Sequence, residues 1–284
     1  MNWVPLLFID DVCHQLSKPT FNQVSKLSGS WSSFGAKHGE KRREFGGFLC
    51  ELNGNQEVSY CLWETDYSRK VTVADLNLEF DRITDLLFDS ALPNDRRVSL
   101  RELELDVLPT IAPLVTNCSW CYFSPERSDQ NRIFFNAFKN FPGFNSIIVE
   151  EQGEDSRDFV NRQLELGNVQ RLTLCGTGKW PEAEKLTETL KIFVSSTRFH
   201  ELYTRGLLID HYELFELFLE RALASELKRG ARISAPGTNL DKTRLLALRP
   251  EYRNKSRKGE WRIPGSNLRI ALRHDYGKLC VSVE

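Results

Sequence analysis

The 284-residue sequence has no stretch of about 18 uncharged apolar residues, so nothing in it reads as a membrane span. Its opening run stays apolar only from Trp3 to Ile9 and then meets Asp10 and Asp11. It has no basic start and no small-residue cleavage site, and so does not read as a signal peptide. The seven cysteines (13, 50, 61, 118, 121, 175 and 280) lack the dense, regular spacing of a disulfide-stapled secreted scaffold. An excess of one charge sign is missing as well: 38 basic and 39 acidic residues leave −1, too little to draw the whole chain to nucleic acid or a membrane surface. The expectation is a soluble, reduced protein of the cytoplasm or nucleus, with no membrane partner and with nucleic acid disfavoured.

The usual marks of catalysis are absent too. There is no G-x-S-x-G elbow, no H-E-x-x-H helix and no G-x-G-x-x-G turn. The five histidines (14, 38, 200, 211 and 274) show no metal or catalytic spacing. Cys118 and Cys121 form a lone C-x-x-C inside an expected strand, where a structural zinc would need four ligands. Gly176-Thr-Gly178-Lys179 lacks the full phosphate-loop spacing and the hydroxyl that would hold magnesium. No catalytic residue, metal site or cofactor is expected, and the chain reads as a non-enzyme. One basic tract remains, with seven Lys or Arg against two Glu between Arg244 and Arg262. It leaves open a phosphate- or nucleic-acid-binding loop, although its aromatics are few (Tyr252, Trp261).

What is present is enough apolar material for a real core: 40% hydrophobic residues, with 18 Phe and 6 Trp. Leu7, Phe8, Val12 and Leu16 fall at helical spacing until Lys18-Pro19 breaks the run, and Phe21, Val24, Leu27 and Trp31 form a second short stripe. Phe48–Leu52 and Val58–Trp63 flank Asn53-Gly54-Asn55, a hairpin signal that could bring Cys50 near Cys61 as buried thiols. From about residue 80 an apolar-x-x-apolar phrase recurs, at Ile83, Trp120, Ile147, Leu172, Leu202 and Ile233, in steps of 25 to 37 residues. Helical patterns fill the gaps, including Ala183–Val194 and one opening near Asp210, while Pro109 and Pro113 must kink the apolar segment Leu100–Val115. The steps bracket the leucine-rich-repeat period, and the alternation argues for stacked strand–helix units on a parallel sheet. Alternating strands after Glu260 would then close the open end.

Val4-Pro5-Leu6-Leu7-Phe8-Ile9-Asp10-Asp11-Val12-Cys13-His14-Gln15-Leu16, with Phe21, Val24, Lys26 and Trp31 after it, resembles an F-box. Phe80-Asp-Arg-Ile83, Leu166-Gly-Asn-Val169, Trp180-Pro181-Glu182 and Trp261-Arg-Ile-Pro264 resemble phrases of a nematode-expanded group of F-box-like proteins with divergent leucine-rich repeats. The resemblance implies an α/β fold: an F-box-like helical segment over 1–45, then an irregular leucine-rich-repeat-like solenoid with a C-terminal β cap over 46–284. It also implies a substrate adaptor of a cullin–RING ubiquitin ligase, with Pro5, Phe8, Val12, Leu16, Phe21 and Trp31 docking a Skp-type adaptor. In that reading Ile148, Arg171, Thr173, Glu201 and Tyr203 line the face that takes a protein substrate. A helical cap over the first repeat explains the N-terminal stripe equally simply. The chain would then be an interaction scaffold without ligase association.

Overall fold

The computed structural model describes residues 4–52, 57–65, 69–88, 96–123, 128–176, 183–207, 211–236, 242–247, 250–252, 259–275 and 278–284. They form two compact units, Met1–Asn145 and Ser146–Glu284.

The first unit opens with three helices: α1 (Leu6–Gln15), α2 (Phe21–Val24) and α3 (Ser30–Lys41). A single 3-10 turn at Lys18–Thr20 separates the first two, because Pro19 has no N–H to continue a helix. Their core is Ile9, Cys13, Phe21 and Val24, with Val4, Leu16, Trp31 and Phe34 packed against it. Helix α3 runs through two glycines for a steric reason. A Cβ on Gly35 would sit 2.8 Å from Val24 Cγ1 and 2.9 Å from the Ser25 nitrogen, so only glycine lets α3 lie this close to α2.

Six strands follow: β1 (Glu44–Leu52), β2 (Glu57–Glu64), β3 (Lys70–Val71), β4 (Arg82–Phe88), β5 (Arg96–Ser99) and β6 (Val115–Phe123). Their order is β6-β4-β1-β2-β3, with β5 also on β2. Strand β4 runs parallel to β1 and β6, whereas β1–β2, β2–β3 and β2–β5 are antiparallel. The hairpin stands where the sequence places it, but Cys61 faces Phe48 and Cys50 faces Ser59, so the two cysteines are not a cross-strand pair. The Asn53-Gly54-Asn55 turn lies outside the described residues. Leu100–Leu114 is helical but broken, passing through a π turn at Leu103–Val107 and ending in a 3-10 turn containing Pro113. On α4 (Ser128–Phe138), Phe134 stands 4.4 Å from Phe88, which stacks on Phe123 at 4.5 Å. Cys118 and Cys121 are both buried on β6, and burial raises the Cys121 thiol well above its ordinary value.

The second unit alternates β7 (Ser146–Glu150), α5 (Glu154–Leu166), β8 (Arg171–Cys175), α6 (Ala183–Ser195), β9 (Glu201–Arg205), α7 (His211–Leu223) and β10 (Arg232–Pro236). After α8 (Lys242–Ala247), strands β11 (Glu260–Arg262), β12 (Arg269–Asp275) and β13 (Lys278–Val283) return antiparallel, with β13 on β10. Ile147, Leu172, Leu202 and Ile233 stand side by side in register across four parallel strands, each at most 2% exposed. Among the described residues no helix is long and apolar enough to cross a membrane.

The expected fold class needs correction. Instead of an F-box-like segment followed by one repeat solenoid with a β cap, each unit carries a mixed sheet. Strands β7 to β10, joined in succession through helices, pair in parallel, β4 lies parallel to β1 and β6, and the hairpins β1–β2 and β12–β13 pair antiparallel. The recurring phrase marks the start of a strand in a strand–helix crossover, and such crossovers occur in any α/β sheet. It carries no information about whether the units repeat as a solenoid. The N-terminal helices are not a free-standing segment either, since side chains from β4 and β6 hold the end of α1, as described next.

Candidate functional site

The last four carbonyls of a helix have no partner within it. At the end of α1 each is met by a side chain from elsewhere in the unit. Arg42, just past α3, donates to Cys13 O at 2.8 Å and to Leu16 O at 3.4 Å. Arg82, first residue of β4, donates through Nε to His14 O at 3.3 Å. The Asn117 amide donates to Gln15 O. Asn117 sits where β6 bulges against β4 and takes φ 51, a left-handed value that Asn tolerates better than most residues.

This clamp fixes which face of α1 is inside. Ile9 and Cys13 are buried, whereas Leu6 (57% exposed), Leu7 (79%) and Phe8 (53%) project in succession. Leu27, after α2, is exposed as well. Of the residues expected to dock an adaptor, Pro5 and Phe8 are exposed, and Val12, Leu16 and Trp31 are half-buried. Phe21 is corrected: it is 2% exposed, stacks on the His38 ring and carries the Arg42 guanidinium at 5.0 Å, so it belongs to the core. Sequence reasoning missed Leu6, Leu7 and Leu27. The signal lay in helical phase, because an inward stripe at Ile9 and Cys13 turns Leu7 outward.

Asp10, His14 and His38 bring a carboxylate and two imidazoles within 4.8 Å of one another, close enough to ask whether they hold a metal. The hydrogen bonds do not fit one. Arg42 can only donate, and its Nη2 lies 3.4 Å from His38 Nδ1, so that nitrogen accepts. His38 Nε2 then carries the proton and donates to Asp10 Oδ1 at 2.9 Å, leaving no lone pair for a metal. His14 Nε2 meets the other oxygen at 3.2 Å. The triad is a hydrogen-bonded latch between α1 and α3.

In the second unit the expected substrate residues do fall on one face. Register sets Arg171 beside Glu201 and Arg232, and in the next outward row Ile148 beside Thr173, Tyr203 and Ser234. All are half-buried or exposed, opposite in pleat to the buried Leu172 row. Arg232 pairs with Glu201 at 2.7 Å, which raises the guanidinium further above its ordinary value. Lys278 lies 4.2 Å over the Tyr203 ring. Arg253, Lys255, Arg257 and Lys258 of the basic tract, and Thr177–Lys179 of the phosphate-loop-like turn, lie outside the described residues. Arg244 stacks on Tyr212 at 3.8 Å.

No family model matches the chain, and no curated protein matches it. Among solved structures, a complex of MycE methyltransferase from the mycinamycin biosynthetic pathway with Mg and SAH is similar over 98% of this chain and 92% of that chain, at 9% identity and a TM-score of 0.24. A likeness at that score carries no argument about fold or activity.

Proposed function

We propose that this chain is a non-enzymatic interaction module: its N-terminal helices dock a Skp-type adaptor of a cullin–RING ubiquitin ligase, and the outward rows of its second unit take a protein substrate. The observation that carries the reading is the ridge of Leu6, Leu7 and Phe8, three successive apolar side chains each more than half exposed. Exposed apolar side chains gathered in one place mark an interaction surface. The F-box resemblance of residues 4–31 supplies the partner class. A helical cap over a core would turn these side chains inward, so the exposure favours docking over the cap reading. On the substrate face, Arg171, Arg205, Arg232 and Lys278 outnumber Glu150 and Glu201, which suits an acidic segment.

The test is capture of a purified recombinant Skp-type adaptor by the purified chain. Binding at micromolar concentration is expected, and Leu7→Asp with Phe8→Ala should weaken it at least about a hundredfold if the two act as centres of the interface. Far-UV circular dichroism should stay unchanged, since neither side chain is in the core. Absence of binding by the unmodified chain would remove the ligase assignment and leave the scaffold description.

A further inference from the structure

Beside the Leu6–Phe8 ridge, the first unit has two clefts that meet. One, of about 500 Å³, has Phe8, Val12 and Leu16 in its wall, and the other, of about 460 Å³, has Leu78, Leu105 and Pro109. Arg82 and Pro113 line both. Leu78 and Leu105 are exposed at 58% and 59%, so the apolar lining reaches the surface.

The residue at the junction is a buried arginine that no carboxylate meets by hydrogen bond among the described residues. Arg82 is 5% exposed, and among the described residues its partners are four neutral carbonyls: His14, Leu78, Glu79 and Asp81. The carboxylate nearest in sequence, Asp81, is already taken by Arg43, whose Nε lies 2.9 Å from Oδ1. Asp10 has its oxygens on His14 and His38. Of the two other buried arginines, Arg221 has its own acid in Glu226 at 2.9 Å, and Arg42, which is likewise met by Cys13 O, Leu16 O and His38 Nδ1, lines neither cleft. A guanidinium in a poorly hydrated place gains most from an ionised oxygen acceptor. Burial pulls the Arg82 guanidinium down to about 10, and the charge of Asp10, which makes no hydrogen bond to it, opposes this only in part.

We propose that the joined clefts bind an apolar partner segment through a single carboxylate seated on Arg82. The mouth decides the class of anion. Asp11 lines one cleft and Asp106 the other, and both are exposed. They repel a nucleic-acid strand or a phosphorylated peptide carrying several charges more than a segment with one acid among aliphatic residues. The inference shares the α1 face with the adaptor reading but does not require that adaptor.

The probe is a set of fluorescent, amidated heptapeptides of Leu and Ala in which one Glu is walked through the positions, each paired with its Gln counterpart. Fluorescence polarisation with the full chain should show at least one register where Glu binds tenfold or more tighter than Gln. Arg82→Gln should erase that preference. Because Arg82→Gln also loosens the clamp on α1, Leu105→Glu provides a second variant at an exposed wall position, and it should weaken the Glu peptide more than the Gln peptide. Equal affinity of all Glu and Gln pairs, or no binding of any up to millimolar concentration, overturns the proposal. Adaptor capture measured on the same sample separates this failure from failure of the docking reading.

Discussion

The carbonyl of Gln15 and the amide of Asn117 illustrate how much here depends on single polar contacts across distant sequence. Asn117 has two jobs that substitution can separate, holding a left-handed backbone and capping α1. Asn117→Gly keeps the backbone and loses the cap, with an expected cost of about 0.5–1.5 kcal/mol in urea unfolding. Asn117→Ala loses both and should cost a further ~1–2 kcal/mol. Equal costs for the two would mean that the left-handed position is unstrained. At His200 burial, and after it the Arg171 charge, lower the imidazole below its ordinary value. The unfolded chain therefore binds a proton more readily than the folded one, and stability present above the unfolded value of about 6.5 is lost as pH falls through the lower folded value. His200→Asn should flatten the fall in Tm between pH 7.5 and 5.5. None of these pairings was legible in the sequence, because contacts such as Arg82 with His14 join residues far apart in the chain and lack any periodic signature.

Elements were legible to the extent that each announces itself locally. The hairpin β1–β2, the helix α6 and the Pro-broken segment Leu100–Leu114 stand where turn residues, apolar spacing and proline place them. Helix α3 was not legible past Phe34, since Gly35 and Gly39 argue against a helix on propensity. Their reason is packing against α2, which only the assembled unit displays. Gly35→Ala should therefore cost ~1–3 kcal/mol by forcing α2 and α3 apart. Gly39→Ala, whose Cβ would stand 3.3 Å from Phe21 Cβ, should cost much less. Thermal unfolding of the two variants checks the contrast, and a Gly35→Ala protein as stable as Gly39→Ala would remove the close-packing explanation.

For the whole chain, periodicity located the strands but not their pairing. Trp120 is instructive: counted as a core position of the recurring phrase, it is 54% exposed, while Cys121 and Phe123 point inward. A strand's side chains alternate, so an error of one residue reverses the face. In the second unit Leu172 sits in the fully buried row, and Leu172→Ala should cost ~2–5 kcal/mol by denaturant titration. Arg171→Gln, one residue away on the outward face, should cost little. The charge balance is also a property of the whole chain. With a pI of about 6.6, its solubility should pass through a minimum close to that pH, measurable by precipitation against pH at low salt.

Arg42, Arg82 and Asn117 grip α1 by its main-chain oxygens, which every amino acid possesses. Apart from the buried Ile9 and Cys13 and the latch residues Asp10 and His14, the identity of a residue on this helix therefore contributes little to keeping the helix in place. Its outward positions are free to drift, so one scaffold can be re-addressed to a new partner by a handful of surface changes, as a key blank accepts a new cut.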